Sequence, residues 1–395
     1  MPGPLHGYRI LDLSAVVSGP YGTMILADQG ADVIKVEPPG SGDFTRSAGN
    51  RSGGLSAAFL NNNRNKRSIV VDLRRPDGVE VVKRLARTMD VMVQNFRPGV
   101  VERLGVGEQA IRAVAPNIVY VSICGFGETG PFAGKPVYDP LIQALSGLAS
   151  VQGGSDKERP RLVRTILPDK LTGITASQAI TAALLARERT GQGQHVRLSM
   201  LEAIVAFLWS SDMGAQTFVG KDVSAQRAAS FIDLIYATED GFMSVAVMTN
   251  AQWSALANAV GRPEWLEDER FQTPALRDLN IDARLELIQS ELRGRTTADW
   301  MEILDAAGVP AAPVLTRSEM ISHPQIEAVG IHYENDHPVA GRLRQARNAV
   351  RFSATTPEHR RGAPGLGEHT DEVLAEAGLA PDEIAALRAA KVVGA

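Results

Sequence analysis

The stretch YRILDLSAVVSGPYGTMILADQGADVIKVE, residues 8–37, decides the fold. Its two ends, 8–13 and 33–36, are near-continuously apolar and rich in branched side chains, as strands buried on both faces are. Between them, 21–29 reads as a helix. Strand, helix and strand in so short a span predict a right-handed crossover and a parallel sheet. The alternation recurs downstream, with strands at 69–73, 91–93 and 118–123 and helices at 76–88 and 107–114. Pro76 suits a first helical turn, where its missing N–H costs nothing. From residue 138 the pattern turns helical, at 138–148 and then 170–189. The second of these is crowded with Gly173, Ala176, Ser177, Ala179, Ala182 and Ala183, small side chains that admit a close neighbour. Residues 195–200 alternate as a strand, and 201–213 form a further helix. The run 231–247 reads as paired strands turning at Glu239-Asp240-Gly241. Helices at 251–260, 281–293 and 297–307 follow it, so 225–325 reads as a smaller α/β domain. Residues 337–353 are irregular with strand-like pieces, and two short helices, 370–377 and 381–390, end the chain. The fold class is α/β: a large doubly wound, mostly parallel sheet domain plus a smaller α/β domain.

Composition narrows the function. The 395 residues carry 41 Lys and Arg against 45 Asp and Glu, a net charge of −4, with 44% hydrophobic and 22% charged residues. Such values are those of a globular protein. No run approaches the roughly 20 apolar residues of a membrane helix, and no basic segment followed by an apolar one opens the chain. The single cysteine, Cys124, excludes an internal disulfide framework. These features predict a cytoplasmic protein with neither membrane nor nucleic acid as partner. Cys124, at an apolar strand end, reads as a core thiol.

Ligands of open parallel sheets bind beyond the carboxyl ends of the strands. Here those ends lead into polar, turn-rich loops: Ser14–Pro20, Glu37–Asp43, Asp72–Arg75, Gln94–Gly99 and Cys124–Gly127. Between Arg46 and Arg103 lie 12 Lys and Arg against 5 Asp and Glu, a surplus of +7 that leaves −11 for the rest. A basic ligand edge suits a polyanionic small molecule such as a nucleotide-bearing cofactor; solvated helix faces are the plain alternative, and Lys83, Arg84 and Arg87 read that way. G-x-G-x-x-G and G-x-x-x-x-G-K-[ST] are absent, which disfavours nicotinamide and P-loop nucleotide chemistry, and no flavin is expected. H-E-x-x-H and C-x-x-C are absent too, so no metal is expected. No G-x-S-x-G elbow occurs. Asp169, in Leu167-Pro168-Asp169-Lys170, has two readings. As residue types alone go, a helix N-cap is favoured. The other is a carboxylate nucleophile, held ionised by a helix start, by Lys170 and by Arg164.

Several motifs then carry a resemblance. Ile10-Leu11-Asp12-Leu13, Gly19-Pro20-Tyr21 and the run from Leu26 to Glu37 resemble the opening of class III (CaiB/BaiF-type) CoA-transferases, a superfamily that includes α-methylacyl-CoA racemases. Asn65-Lys66-Arg67-Ser68-Ile69, Asn95-Phe96-Arg97-Pro98-Gly99, Tyr138-Asp139-Pro140, Thr190-Gly191-Gln192-Gly193-Gln194 and the tail from Ala363 to Thr370 resemble it too. The resemblance implies a large Rossmann-like CoA-binding domain from residues 1–210 and 330–395, with the small domain at 225–325 and linkers at 211–224 and 326–345. It implies an interlocked ring-like homodimer. It implies CoA, as substrate, along the sheet edge at Val16, Val71, Arg74, Asn95, Phe96, Arg97, Arg103, Leu104 and Tyr138. Asp169 falls on the family's catalytic aspartate.

The implied chemistry is a ping-pong exchange of CoA between an acyl-CoA donor and a carboxylic acid acceptor, through an aspartyl-CoA thioester. Departures are visible. Val17 stands where some members have a glutamine, so a reacting oxyanion needs another donor, and Pro38 replaces a second basic residue after Glu37. No glycine-run lid is present, which speaks against a formyl-CoA:oxalate enzyme. A racemase of the same superfamily needs a histidine where this chain has Tyr138, a poor base near neutral pH. A non-catalytic CoA-binding protein is a further alternative. Arg164 reads equally as holding an acceptor carboxylate or as a surface arginine.

Overall fold

In the computed structural model the apolar runs form one six-stranded parallel sheet. Residues 3–154, 156, 158–221 and 234–394 are described. The strands are β1 (Arg9–Asp12), β2 (Asp32–Glu37), β3 (Lys66–Val70), β4 (Val91–Gln94), β5 (Val119–Cys124) and β6 (His195–Ser199). Their order is β3-β2-β1-β4-β5-β6. In register, Ile10 faces both Val33 and Val91, and Val121 faces Val93 and Val196.

Alternate residues of each strand feed two separate cores, as a pleat requires. One face sends Leu11, Ile34, Ile69, Met92 and Tyr120 against Val82 and Leu85 of helix Pro76–Ala86 and against Val373 and Ile384 of the tail. The other sends Ile10, Val33, Val91, Val119 and Val121 against helix α1 (Ser18–Asp28) and the long helix α2 (Leu167–Thr190). Helices on both faces make the sheet doubly wound.

The small residues of α2 do what their size allows. A Cβ built on Gly22 of α1 would stand 2.7 Å from the Gly173 carbonyl oxygen, and one on Gly173 would stand 2.8 Å from that of Ser18. The two helices touch backbone to backbone there, beside the start of α2.

Two compact units result: residues 1–149, 161–220 and 330–395 form the first, and 150–160 with 221–329 the second. Residues 150–160 thus join the second unit rather than the first. That unit has its own sheet, with Phe242–Val245 between Ile235–Ala237 and Ala311–Pro313, all antiparallel. Its core holds Trp253, Trp265, Phe271 and Trp300. The expected start of its first strand, 231–233, and residues 222–230 lie outside the described residues.

Two expectations are corrected. The third strand spans Lys66–Val70, not 69–73; Lys66 and Ser68 are buried polar residues that an apolar run cannot reveal. Val71 instead bridges antiparallel to Val393. The region expected as the linker 326–345 contains a hairpin, His332–His337 paired with Gly341–Ala346. Its strands are charged and held by Glu334 to Arg342 and Arg344, so they carry no apolar pattern.

Candidate active site at the switch point of the sheet

Strand order reverses between β1 and β4, which opens a crevice above their carboxyl ends. The loop leaving β1, residues 14–18, is fixed atom by atom there. Ser14 N donates to Asp12 Oδ1 at 2.9 Å. Asn95, just past β4, accepts from Ala15 N at 2.9 Å and donates to Ala15 O at 2.7 Å. Val16 N donates to Asp43 Oδ1 at 3.3 Å, and the main-chain N–H of Ser18 favours the ionised form of the Asp169 carboxylate. Val16 itself sits at φ +72°, a conformation that costs a non-glycine residue about 1–3 kcal/mol and marks functional sites.

Below the loop lies a buried charge network. Lys66 Nζ stands 3.0 Å from Asp12 Oδ2, with neither side chain exposed. Lys35 Nζ stands 2.9 Å from Asp43 Oδ2 and donates to Ser14 O at 2.8 Å. Burial would raise the Asp12 carboxyl, but Lys66 and Lys35 outweigh it and hold it at about 2. Burial depresses Lys66 to about 8. Arg46 forks onto Glu37 at 2.7 and 2.8 Å.

Asp169 is the third residue of α2, not its N-cap, a place taken by Ile166. Its carboxyl is pushed up to about 6, by burial first and by the nearby Asp139 second, against the opposing Ser18 N–H. This reverses the expectation that Lys170 and Arg164 hold it ionised. Lys170 Nζ turns away to Thr165 Oγ1 at 2.8 Å, and Arg164 is exposed. Asp139 is buried at the start of helix Asp139–Leu145, where Oδ2 accepts from Asp169 N at 3.2 Å and Oδ1 accepts from Gln143 at 2.6 Å. Two carboxylates so close disfavour each other's ionisation. Replacing Asp139 with asparagine is therefore expected to move the acid limb of the kcat/KM profile to lower pH than in the wild type, where it falls about tenfold per unit below about 6. A pH–rate series on both proteins checks this; an unmoved limb counts against the coupling.

Asp169 opens into a hollow of about 210 Å³ bordered by Val16, Ser18, Asn95, Phe96, Arg97, Lys135, Tyr138 and Cys124. A neighbouring hollow of about 370 Å³ is bordered by Val71, Arg74, Leu104 and again Phe96. A third, of about 530 Å³, adjoins Phe96, Arg97, Ser122 and His195. Phe96 thus borders all three. Arg103 borders none; its guanidinium packs against Gly99. Cys124 borders the Asp169 hollow instead of filling the core, and burial pushes its thiol up to about 11, far from a thiolate nucleophile.

The charge argument also needs correction. Seven of the 12 cations between 46 and 103 are ion-paired: Arg46, Arg64, Lys66, Arg67, Arg74, Lys83 and Arg84. Arg64 binds Asp28, and Arg67 binds Asp32, Glu372 and Glu376. Most of the surplus therefore holds the fold together. Among the described residues, Arg97, Arg103 and Lys135 make no ion pair, while Arg74 pairs with Asp72 at the exposed rim. Sequence reasoning missed Asp139 and the Ser18 N–H. Asp139 stood inside a quoted motif, but a main-chain donor leaves no mark in a sequence.

The sequence model of CoA-transferase family III matches residues 5–370. The chain belongs to this family. Among its relatives is the human succinyl-CoA:glutarate CoA-transferase, 34% identical over 380 residues, covering 94% of this chain and 86% of the relative. The acetyl-CoA:oxalate CoA-transferase of Acetobacter aceti is 35% identical and covers 93% of this chain and 94% of its own. Among solved structures, a CaiB/BaiF family protein from Brucella suis superposes with a TM-score of 0.83 at 32% identity, covering 95% of this chain and all of the other. The chain is thus a family III CoA-transferase, and these relatives are named for transferring CoA between acyl-CoA and carboxylic acids. No group of three or more His, Cys, Asp or Glu among the described residues could hold a metal. No described helix is long and apolar enough to cross a membrane.

Proposed function

We propose that this CoA-transferase works by a ping-pong exchange in which Asp169 is the nucleophile. The observation that carries this reading is Asp169 itself: a carboxylate at the switch point, with its titration near 6 and a main-chain N–H aimed at it. A pKa near 6 leaves the group ionised at neutral pH yet more basic than an ordinary carboxylate, as a nucleophile requires.

An Asp169 oxygen attacks the acyl-CoA carbonyl, the C–S bond breaks and CoA leaves as thiolate, giving a mixed anhydride. The thiolate attacks the aspartyl carbonyl and the donor acid leaves as its carboxylate. The resulting aspartyl-CoA thioester is attacked by the acceptor carboxylate, which expels the thiolate again. The thiolate takes the acceptor's acyl group and frees Asp169. In this reading the Ser18 N–H steadies a charge-bearing oxygen on the aspartyl carbon, a donor that the Val17 side chain cannot supply. CoA lies along the sheet edge in this reading, its thiol end beside Val16, Asn95, Arg97 and Tyr138. Its remainder runs past Phe96 towards Val71, Arg74 and Leu104, with Arg103 reached only if its side chain turns. Arg97 thus stays at the thiol end, and the phosphates are met by Arg74 and by Arg103 once its side chain turns.

The reading extends to a cytoplasmic homodimer. The homodimer is supported by half-exposed apolar residues along α2, Ile174 and Leu185. Incubation with acyl-CoA followed by hydroxylamine or borohydride should place the modification on Asp169 by peptide mass. Labelling elsewhere, or solvent deuterium entering the α-carbon of the acyl group without any acceptor acid, overturns the reading; the latter outcome signals a racemase.

A further inference from the structure

A valine at φ +72° persists only where its surroundings enforce it, and here the enforcing contacts converge on Asp43. This carboxylate is 3% exposed and Lys35 is fully buried. Asp43 Oδ1 accepts from Val16 N at 3.3 Å, and it accepts from Thr45 N at 2.9 Å and Thr45 Oγ1 at 2.8 Å. Oδ2 lies 2.9 Å from Lys35 Nζ, and Lys35 reaches on to Ser14 O at 2.8 Å. One buried ion pair therefore grips the loop on both sides of Ala15, which Asn95 clamps from above. Two residues beyond Val16, Ser18 N–H points at Asp169.

We propose that Asp43 is a positioning residue for CoA exchange: through Val16 N–H, and with Lys35 on Ser14, it holds the 14–18 loop in the left-handed turn that aims Ser18 N–H at Asp169. This rests on Asp169 being the nucleophile. A residue that merely caps the Phe44–Ser47 turn through Thr45 would matter to folding alone, and its loss would be indifferent to the residue at 16. A residue that holds Val16 behaves otherwise, because glycine adopts positive φ unaided.

The test is a set of variants measured for kcat, acyl-CoA KM and thermal midpoint. Asp43→Asn should lower kcat roughly 10- to 100-fold, the scale of a small misplacement, with a much smaller change in KM. Adding Val16→Gly to Asp43→Asn should recover about tenfold of that loss. Thr45→Val, which removes one capping donor from Asp43 Oδ1 but leaves Lys35 and the Val16 N–H in place, should lower the midpoint and change kcat less than about twofold. Should Asp43→Asn fail to fold, Asp43→Glu keeps the charge, displaces the oxygens and is subject to the same rescue. A double variant no faster than its Asp43 parent, or an Asp43→Asn protein with wild-type kcat, overturns the proposal. Asp169→Ala separates the two readings. If that variant exchanges CoA normally, the nucleophile assignment fails. If it is dead and the rescue is absent, only the role of Asp43 fails.

Discussion

Asp169→Ala is expected to abolish CoA exchange between acids, by on the order of 10³-fold or more, while the protein still binds CoA. The size follows from covalent catalysis: without the carboxylate there is no anhydride and no enzyme thioester, so the acceptor carboxylate has no aspartyl carbonyl to attack. Binding should survive because the residues proposed for CoA line separate stretches of the edge, from Val71 and Arg74 to Tyr138. Asp169→Asn should be nearly as slow, since an amide has the shape of the carboxylate but not its nucleophilicity. Exchange assays paired with calorimetric titration of CoA settle the matter. Retained exchange in either variant removes Asp169 from the mechanism, and lost CoA binding in both would shift the explanation to site collapse.

Asp12→Ala should be the most damaging change away from the crevice. Asp12 is fully buried and meets Lys66 at 3.0 Å, Thr23 Oγ1 at 2.7 Å and Ser14 N at 2.9 Å. Removing it leaves two buried ammonium groups, Lys66 and Lys35, without one of their shared counter-charges. Breaking a buried pair from one side costs about 3–5 kcal/mol. The first unit should therefore melt markedly earlier, read by thermal or denaturant unfolding. The pH dependence has a definite sign. The Asp12 carboxyl is held at about 2, below its unfolded value, so its contribution is fully present above the ordinary carboxylate range. It is lost only as pH falls towards 2. A midpoint within a degree of wild type would show that the network carries little of the stability.

Much of the fold was legible because strands buried on both faces announce themselves by composition. β1, β2, β4 and β5 are such strands, and the small residues of α2 correctly signalled a close helix partner. What escaped were elements whose stability comes from charge. β3 begins with Lys66 because Asp12 waits for it two strands away, and the hairpin at 332–346 is held by cross-strand ion pairs. The basic segment misled for the same reason: Arg67 finds Glu376 at a separation of 309 residues. In the site, Asp169 stood out through the resemblance, but the direction of its pKa shift was not legible. Its direction is set by burial and by Asp139, thirty residues earlier, whereas neighbours in sequence pointed the other way.

The contact between Gly22 and Gly173 has a bearing on how this protein can change. The spacing of α1 and α2 is set there by two missing side chains, and the same spacing sets how far Ser18 stands from Asp169. An alanine at either position would wedge the helices apart near Asp169. Selection for folding alone could tolerate that displacement elsewhere along α2, but selection for turnover could not. Libraries seeking new acid specificities should therefore leave residues 22 and 173 untouched.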